Sequence, residues 1–92
     1  MPFYVYIIKS ERENLFYKGF SEDPVQRLLQ HNLGLSLYTA AKIPWKLVYV
    51  EVFLTKREAL IREKALKKYS HQQVQRLIQS PKNIVDQFLT GQ

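Results

Sequence analysis

Tyr4-Val5-Tyr6-Ile7-Ile8 is followed, after the polar break Ser10-Glu11-Arg12-Glu13-Asn14, by Phe16-Tyr17-Lys18-Gly19-Phe20. Both runs are rich in β-branched and aromatic residues, and together they predict a β-hairpin. Strand side chains alternate with period two, so Tyr4, Tyr6 and Ile8 share one face, and Leu15, Tyr17 and Gly19 share one on the second strand. A four-residue loop, Ser10 to Glu13, sets Lys9 opposite Asn14 and Tyr6 opposite Tyr17. The two phenols then stand side by side. A slip of one residue would place them on opposite faces. Taken alone, a tyrosine cluster in a small sheet reads as core, and its meaning depends on what the rest of the chain brings to it.

Downstream, Ser21-Glu22-Asp23-Pro24 opens a helix, with Asp23 as N-cap, Pro24 at the first helical position and Gln26 at capping-box spacing. Val25, Leu28, Leu29 and Leu33 form its apolar stripe and Gly34 stops it. Arg27 and His31 lie one turn apart and off the centre of that stripe, as a solvated pair would. Residues 35–45 have no clean period and read as a long connection exposing Tyr38 and Lys42. Trp45 to Phe53 reads as a third strand, with Leu47, Tyr49 and Glu51 on one face. Its near-continuous apolar run suggests a central strand covered on both sides.

Thr55-Lys56-Arg57-Glu58 is a capping box for a helix running to Tyr69. Ala59, Glu63 and Leu66 share its sheet-facing stripe, so Glu63 is an acid on an apolar face, costly there unless paired or metal-bound. The bland alternative is a Glu63–Lys67 pair at i, i+4, worth about 0.3–0.5 kcal/mol if exposed. Arg57, Lys64 and Lys68 gather on the opposite side. Ser70-His71-Gln72-Gln73 caps a short helix built on Val74, Leu77 and Ile78, and His71 has no partner in sight. Ser80-Pro81 opens a last helix carrying Ile84, Val85, Phe88 and Leu89 and ended by Gly91.

The 92 residues suffice for one domain, 1–92, with a core over 3–69 and C-terminal helices over 70–90. A hairpin, a third strand and several helices make the expected fold class α+β. The absence of cysteine removes disulfides, thiolate metal sites and thiol nucleophiles. No run of about twenty apolar residues exists, so no membrane association is expected and a cytoplasmic location fits. The net charge of +6 favours polyanions such as nucleic acid.

Gly-rich phosphate loops, zinc-ligand spacings and nucleophile turns are all missing from the sequence. What remains is two tyrosines, an arginine, a histidine and a glutamate among positive charge, a set able to cut a phosphodiester. A glutamate can hold a hard divalent cation, and an arginine can neutralise charge on phosphoryl oxygens. A tyrosine or histidine can take a proton from water, although a phenol near pKa 10 needs a cationic neighbour to do so.

Tyr4-Val5-Tyr6, Tyr17-Lys18-Gly19, Arg27, His31 and the helix Ala59-Leu60-Ile61-Arg62-Glu63, in that order, resemble the GIY-YIG nuclease superfamily, above all its small stand-alone bacterial members. The likeness runs from Phe3 to Lys68 and includes Pro44-Trp45-Lys46-Leu47-Val48-Tyr49. The resemblance implies a three-stranded antiparallel sheet flanked by helices, in β-β-α-β-α order with C-terminal helices added, and DNA cleavage assisted by one divalent cation, Mg²⁺ or Mn²⁺, in repair or recombination. Carried across, Tyr6 is the general base and Tyr17 positions or polarises the water. Gly19 permits close backbone approach, Arg27 stabilises the transition state, His31 assists proton transfer or holds phosphate, and Glu63 binds the metal. Tyr4 stands where the motif has glycine, and Phe20 where some repair nucleases have lysine. DNA contacts are expected from Lys42, Arg57, Lys64, Lys67 and Lys68. Branched or damaged DNA is the candidate substrate, and a partner protein could supply targeting. The alternative is a nucleic-acid-binding module without turnover on the same fold. Oligomeric state is left open.

Overall fold

The computed structural model describes residues 1–89. Strands β1 (Phe3–Ser10), β2 (Phe16–Ser21) and β3 (Trp45–Phe53) form one antiparallel sheet in the order β2-β1-β3. Helices α1 (Pro24–Asn32) and α2 (Leu37–Ala40) lie between β2 and β3. Helices α3 (Lys56–Leu66), α4 (His71–Ile78) and α5 (Asp86–Leu89) follow β3. The α+β class and the β-β-α-β-α order are as the sequence predicts, with one short helix added in the connection read as a loop.

β1 is the central strand, and β3 the edge, the reverse of the expectation for the run Trp45–Phe53. Four consecutive residues of β1, Val5 to Ile8, are fully buried, as covering on both faces requires. β3 looks equally apolar because both its faces are also covered, but its outer edge is closed by a loop instead of a strand. Asn83 donates to the Val48 and Ile78 carbonyls (2.9 and 2.8 Å) and accepts from the Val50 and Val85 amides (3.2 and 3.0 Å). With Ile84 N–H donating to the Val50 carbonyl, the segment after α4 satisfies groups an edge strand would leave open. The helix expected from Ser80 is accordingly confined to Asp86–Leu89, since residues 80–85 are spent on this closure. Gly91 lies outside the described residues.

Ile7 pairs with Tyr49 and Ile8 with Leu47, leaving Val48 as an extra residue in β3. This bulge breaks the alternation, so Leu47 and Tyr49 fall on opposite faces and not on one as predicted. One face carries Val5, Ile7 and Tyr49 against Ala59 and Leu66 of α3 and Val74 and Leu77 of α4. The other carries Tyr6, Ile8, Trp45, Leu47 and Val50, covered by Leu28, Ile43, Ile84, Val85 and Phe88. Tyr49 donates to Glu51 (2.6 Å), which also accepts from Arg62 Nε (3.0 Å). That brace fixes how α3 is rolled on the sheet, and so where the next residue, Glu63, points.

The hairpin register differs from the expected one. Tyr6 pairs with Gly19, and Tyr17 with Ile8. The loop is four residues long, but spans Glu11–Asn14, because Ser10 N–H donates to the Leu15 carbonyl (3.0 Å). Ser10 Oγ accepts from the Arg12 and Glu13 amides (both 3.1 Å), which folds the turn after Ser10 and not before it. The displacement amounts to two residues, so parity survives and both phenols remain on the α1 side of the sheet.

Candidate active site

Helix α1 departs most from its sequence pattern. Asp23 caps it by accepting from the Gln26 amide (3.1 Å), and Gly34, with φ 78°, ends it. The Gly34 amide donates to His31 and the Leu35 amide to Gln30, a Schellman closure. Yet Leu29 and Leu33 of the expected stripe are exposed (51% and 64%), whereas His31, expected in solvent, is fully buried. The inner face of α1 is set by Pro24, Leu28 and His31, because the imidazole finds partners there that no leucine could use.

Those partners are Tyr6 and Thr39. Tyr6 Oη lies 2.9 Å from His31 Nε2, and His31 Nδ1 lies 2.7 Å from Thr39 Oγ1. Thr39 Oγ1 donates onward to the Ser36 carbonyl (3.4 Å). The tautomer that satisfies this chain has Nδ1–H donating to Thr39 and Nε2 accepting from the Tyr6 hydroxyl. Burial, reinforced by the Arg27 guanidinium, pushes His31 down to about 4, so the ring is neutral at pH 7. Burial, with Tyr17 beside it, pushes the Tyr6 hydroxyl up to about 12, against the opposing pull of Arg27. The resting pair is a neutral phenol donating to a neutral imidazole.

This state has a consequence for stability. Folded His31 takes up its proton only near pH 4, whereas an unfolded chain does so near 6.5. The unfolded state therefore gains protons first as the pH falls, and stability drops through that window. The loss is on the order of 3 kcal/mol. Urea titrations at neutral and mildly acidic pH should show this decline, and the His31→Gln variant should lack most of it.

Thr39 is a site residue the sequence did not reveal. It is a fully buried polar residue in a four-residue helix, within a stretch whose composition reads as loop. Trp45 Nε1 donates to its carbonyl (2.9 Å), and Asn32 exchanges hydrogen bonds with the Trp45 backbone (2.7 and 2.9 Å). These bonds lock α1, α2 and the start of β3 around the imidazole.

Tyr17 is half-buried, its ring edge-on to His31 at 5.1 Å and tilted on Tyr38 at 5.6 Å. Gly19 is buried beneath the Tyr6 ring. A Cβ at position 19 would overlap Cζ and Oη of Tyr6 and come within 2.7 Å of Cε2. The missing side chain lets the Tyr6 ring lean across β2 toward the sheet edge. There it meets Glu63, from the helix on the other face, as well as Tyr17 and Arg27 on its own, all three close enough to act electrostatically on Tyr6. Arg27 also donates to Gln30 (2.8 Å).

Glu63 has a half-buried side chain (18% exposed) between the buried Ala59 and Leu66, as the spacing predicts. Its ion pair is a long one, 3.5 Å to the exposed Lys67, which leaves carboxylate oxygen capacity unused. Among the described residues there is no group of three or more His, Cys, Asp or Glu side chains able to cage a metal. A single partly exposed carboxylate nevertheless fits the way Mg²⁺ is held when water and phosphate oxygens complete its shell.

The structure thus gathers Tyr6, Tyr17, Gly19, Arg27, His31 and Glu63 at the β2 edge. Tyr4 lies beside them on the same face and packs edge-on against Phe88 (5.2 Å). The basic residues do not gather with them as a group. Lys67 lines the groove beside Tyr17, but Lys42 pairs with Glu13 at 2.8 Å. Arg57 and Lys64 line a different groove with Lys56, Leu60 and Ile61, and Lys68 is exposed past the end of α3.

The family model of the GIY-YIG catalytic domain matches residues 2–76. The UPF0213 protein of Staphylococcus saprophyticus is 42% identical over 76 residues, covering 82% of this chain and 92% of its own. The UPF0213 protein of Clostridium perfringens is 44% identical over 78 residues, covering 84% and 83%. The solution NMR structure of a UPF0213 protein from Bacillus halodurans superimposes with a TM-score of 0.58 at 27% identity, covering 96% of this chain and 94% of that one. The chain belongs to the GIY-YIG family, a family of nucleases, and is similar to its small UPF0213 members. No helix among the described residues is long and apolar enough to cross a membrane.

Proposed function

We propose that this protein is an endonuclease that hydrolyses DNA phosphodiester bonds with one divalent cation, Mg²⁺ or Mn²⁺, held by Glu63. The observation that carries the reading is the buried Tyr6–His31 hydrogen bond, with Arg27 and Glu63 both acting electrostatically on the same phenol. Such a perturbed titratable pair beside an acid and a guanidinium is what phosphoryl-transfer chemistry uses.

The Tyr6 hydroxyl hands its hydrogen to His31 Nε2, so an oxygen lone pair is left to face an attacking water. As the water loses its proton to Tyr6, the Tyr6 proton moves to His31. An anionic phosphate nearby raises the basicity of His31, offsetting what burial takes away. Arg27 neutralises charge growing on the phosphoryl oxygens, and Tyr17 positions the water. A bound cation supplies Lewis-acid polarisation of the phosphate and favours the phenolate. DNA repair or recombination, a cytoplasmic setting and a targeting partner are part of the same reading.

The test is cleavage of plasmid, single-stranded, flapped and branched DNA with Mg²⁺ or Mn²⁺, and with EDTA. Wild type should cut only with metal, and Glu63→Ala should leave the DNA intact. Identical products from both proteins at every metal concentration would overturn the reading. Salt-sensitive binding without cleavage would mark a binding module instead.

A further inference from the structure

The proton relay leaves one aromatic ring unused. Tyr38 is 75% exposed on α2, yet its ring is held against Tyr17 at 5.6 Å with an interplanar angle of 42°. The two rings line a groove of about 380 Å³ with Phe16, Lys18 and Lys67. Lys18 has no hydrogen bond or ion pair among the described residues, and burial lowers its basicity. An unpaired lysine and an exposed aromatic ring on one groove are the groups with which a protein engages a phosphate and a base.

We infer that this groove binds one unstacked nucleobase against Tyr38, with the flanking phosphate on Lys18 and Lys67. The inference rests on the proposed nuclease function and names its substrate class: an unpaired nucleic-acid strand. Bases inside a duplex are stacked on each other and have no π face to offer a tyrosine, whereas a single strand or a flap does. The groove has the volume of a small-molecule cleft, and its mixed aromatic and cationic lining matches a base with its phosphate. Tyr17 also touches His31, so a base seated here places its neighbouring phosphate beside the relay. The two rings already touch at 5.6 Å, so a planar base stacks on the solvent-exposed face of Tyr38 and not between them.

Binding is measured on the Glu63→Gln protein with Ca²⁺ in place of Mg²⁺, so that cleavage does not intervene. The probes are a short single strand carrying one 2-aminopurine and the same sequence as a duplex. The single strand should bind more tightly, and 2-aminopurine fluorescence should be quenched on binding. Tyr38→Ala should weaken the single strand by about tenfold and abolish the quenching, while Tyr38→Trp should restore both. The exposure of Tyr38 makes its variants safe to fold, and a thermal melt confirms it. Equal affinity for both probes, or a Tyr38→Ala affinity unchanged from the parent, overturns the stacking site even if wild type cuts DNA. Tyr38-dependent binding in a protein that never cuts DNA would uphold the stacking site and remove the nuclease reading.

Discussion

Tyr6→Phe is expected to lower single-turnover DNA cleavage by about a thousandfold while the protein stays folded. The substitution removes one oxygen and nothing else from a ring that remains buried between β1 and α1. The loss follows from that oxygen's two tasks: it is the group nearest to His31 Nε2, and it is the atom left to receive a proton from water. Stability should fall by only about 1–2 kcal/mol, the cost of leaving Nε2 without its donor. A purely structural role for Tyr6 would give the opposite balance, with stability and rate falling together and by similar free energies. The pH dependence separates the cases further. The relay works from a neutral phenol and a neutral imidazole, so the wild-type rate should rise as His31 loses its proton near pH 4 and stay level from neutral into mildly alkaline pH. The residual rate of Tyr6→Phe should not follow that titration, because no hydroxyl links His31 to the water. If Tyr6→Phe keeps more than about a third of the wild-type rate, the base belongs to another residue, with Tyr17 next in line.

How much of this was legible beforehand differs from element to element. The strands were readable because β-branched and aromatic runs declare themselves locally, and Trp45–Phe53 needed no context to be found. Which strand lies in the middle was not, since covering both faces of an edge strand gives the same apolar string as a central one. The hairpin register turned on Ser10, whose hydroxyl folds the backbone after it. Composition says that a turn is near but not on which side of a serine it starts. The candidate site residues stand out as an ordered set through their likeness to a nuclease family, and Glu63 also by its misfit on an apolar face. His31 was misplaced because a hydrophobicity pattern treats imidazole as polar and cannot see Tyr6 and Thr39 waiting on either side of it. Thr39 left no periodic trace. Its importance exists only in three dimensions.

Gly19→Ala is expected to destabilise the protein by about 2–3 kcal/mol, a fall in melting temperature on the order of 10 °C, and to cripple the site as well. The requirement is for space and not for backbone freedom, since Gly34 is the glycine with positive φ. The added methyl would occupy the position of the Tyr6 ring. A ring at the end of a loose side chain could swing aside, but this one is fully buried and bonded to His31. Moving it breaks that bond and leaves His31 Nε2 unsatisfied, so steric strain is exchanged for a lost hydrogen bond with no gain. The two sites must then be coupled. In a Tyr6→Ala background, where the ring is gone, Gly19→Ala should cost less than about 0.5 kcal/mol, so the cycle yields roughly 2 kcal/mol of interaction. Tyr6→Phe should give no such relief, because the overlap includes ring carbons that phenylalanine retains. Urea denaturation of the single and double variants measures both terms. Additive effects of Gly19→Ala and Tyr6→Ala would mean that the ring does not need the space over Gly19. The glycine would then be explained by its strand and not by the active site above it.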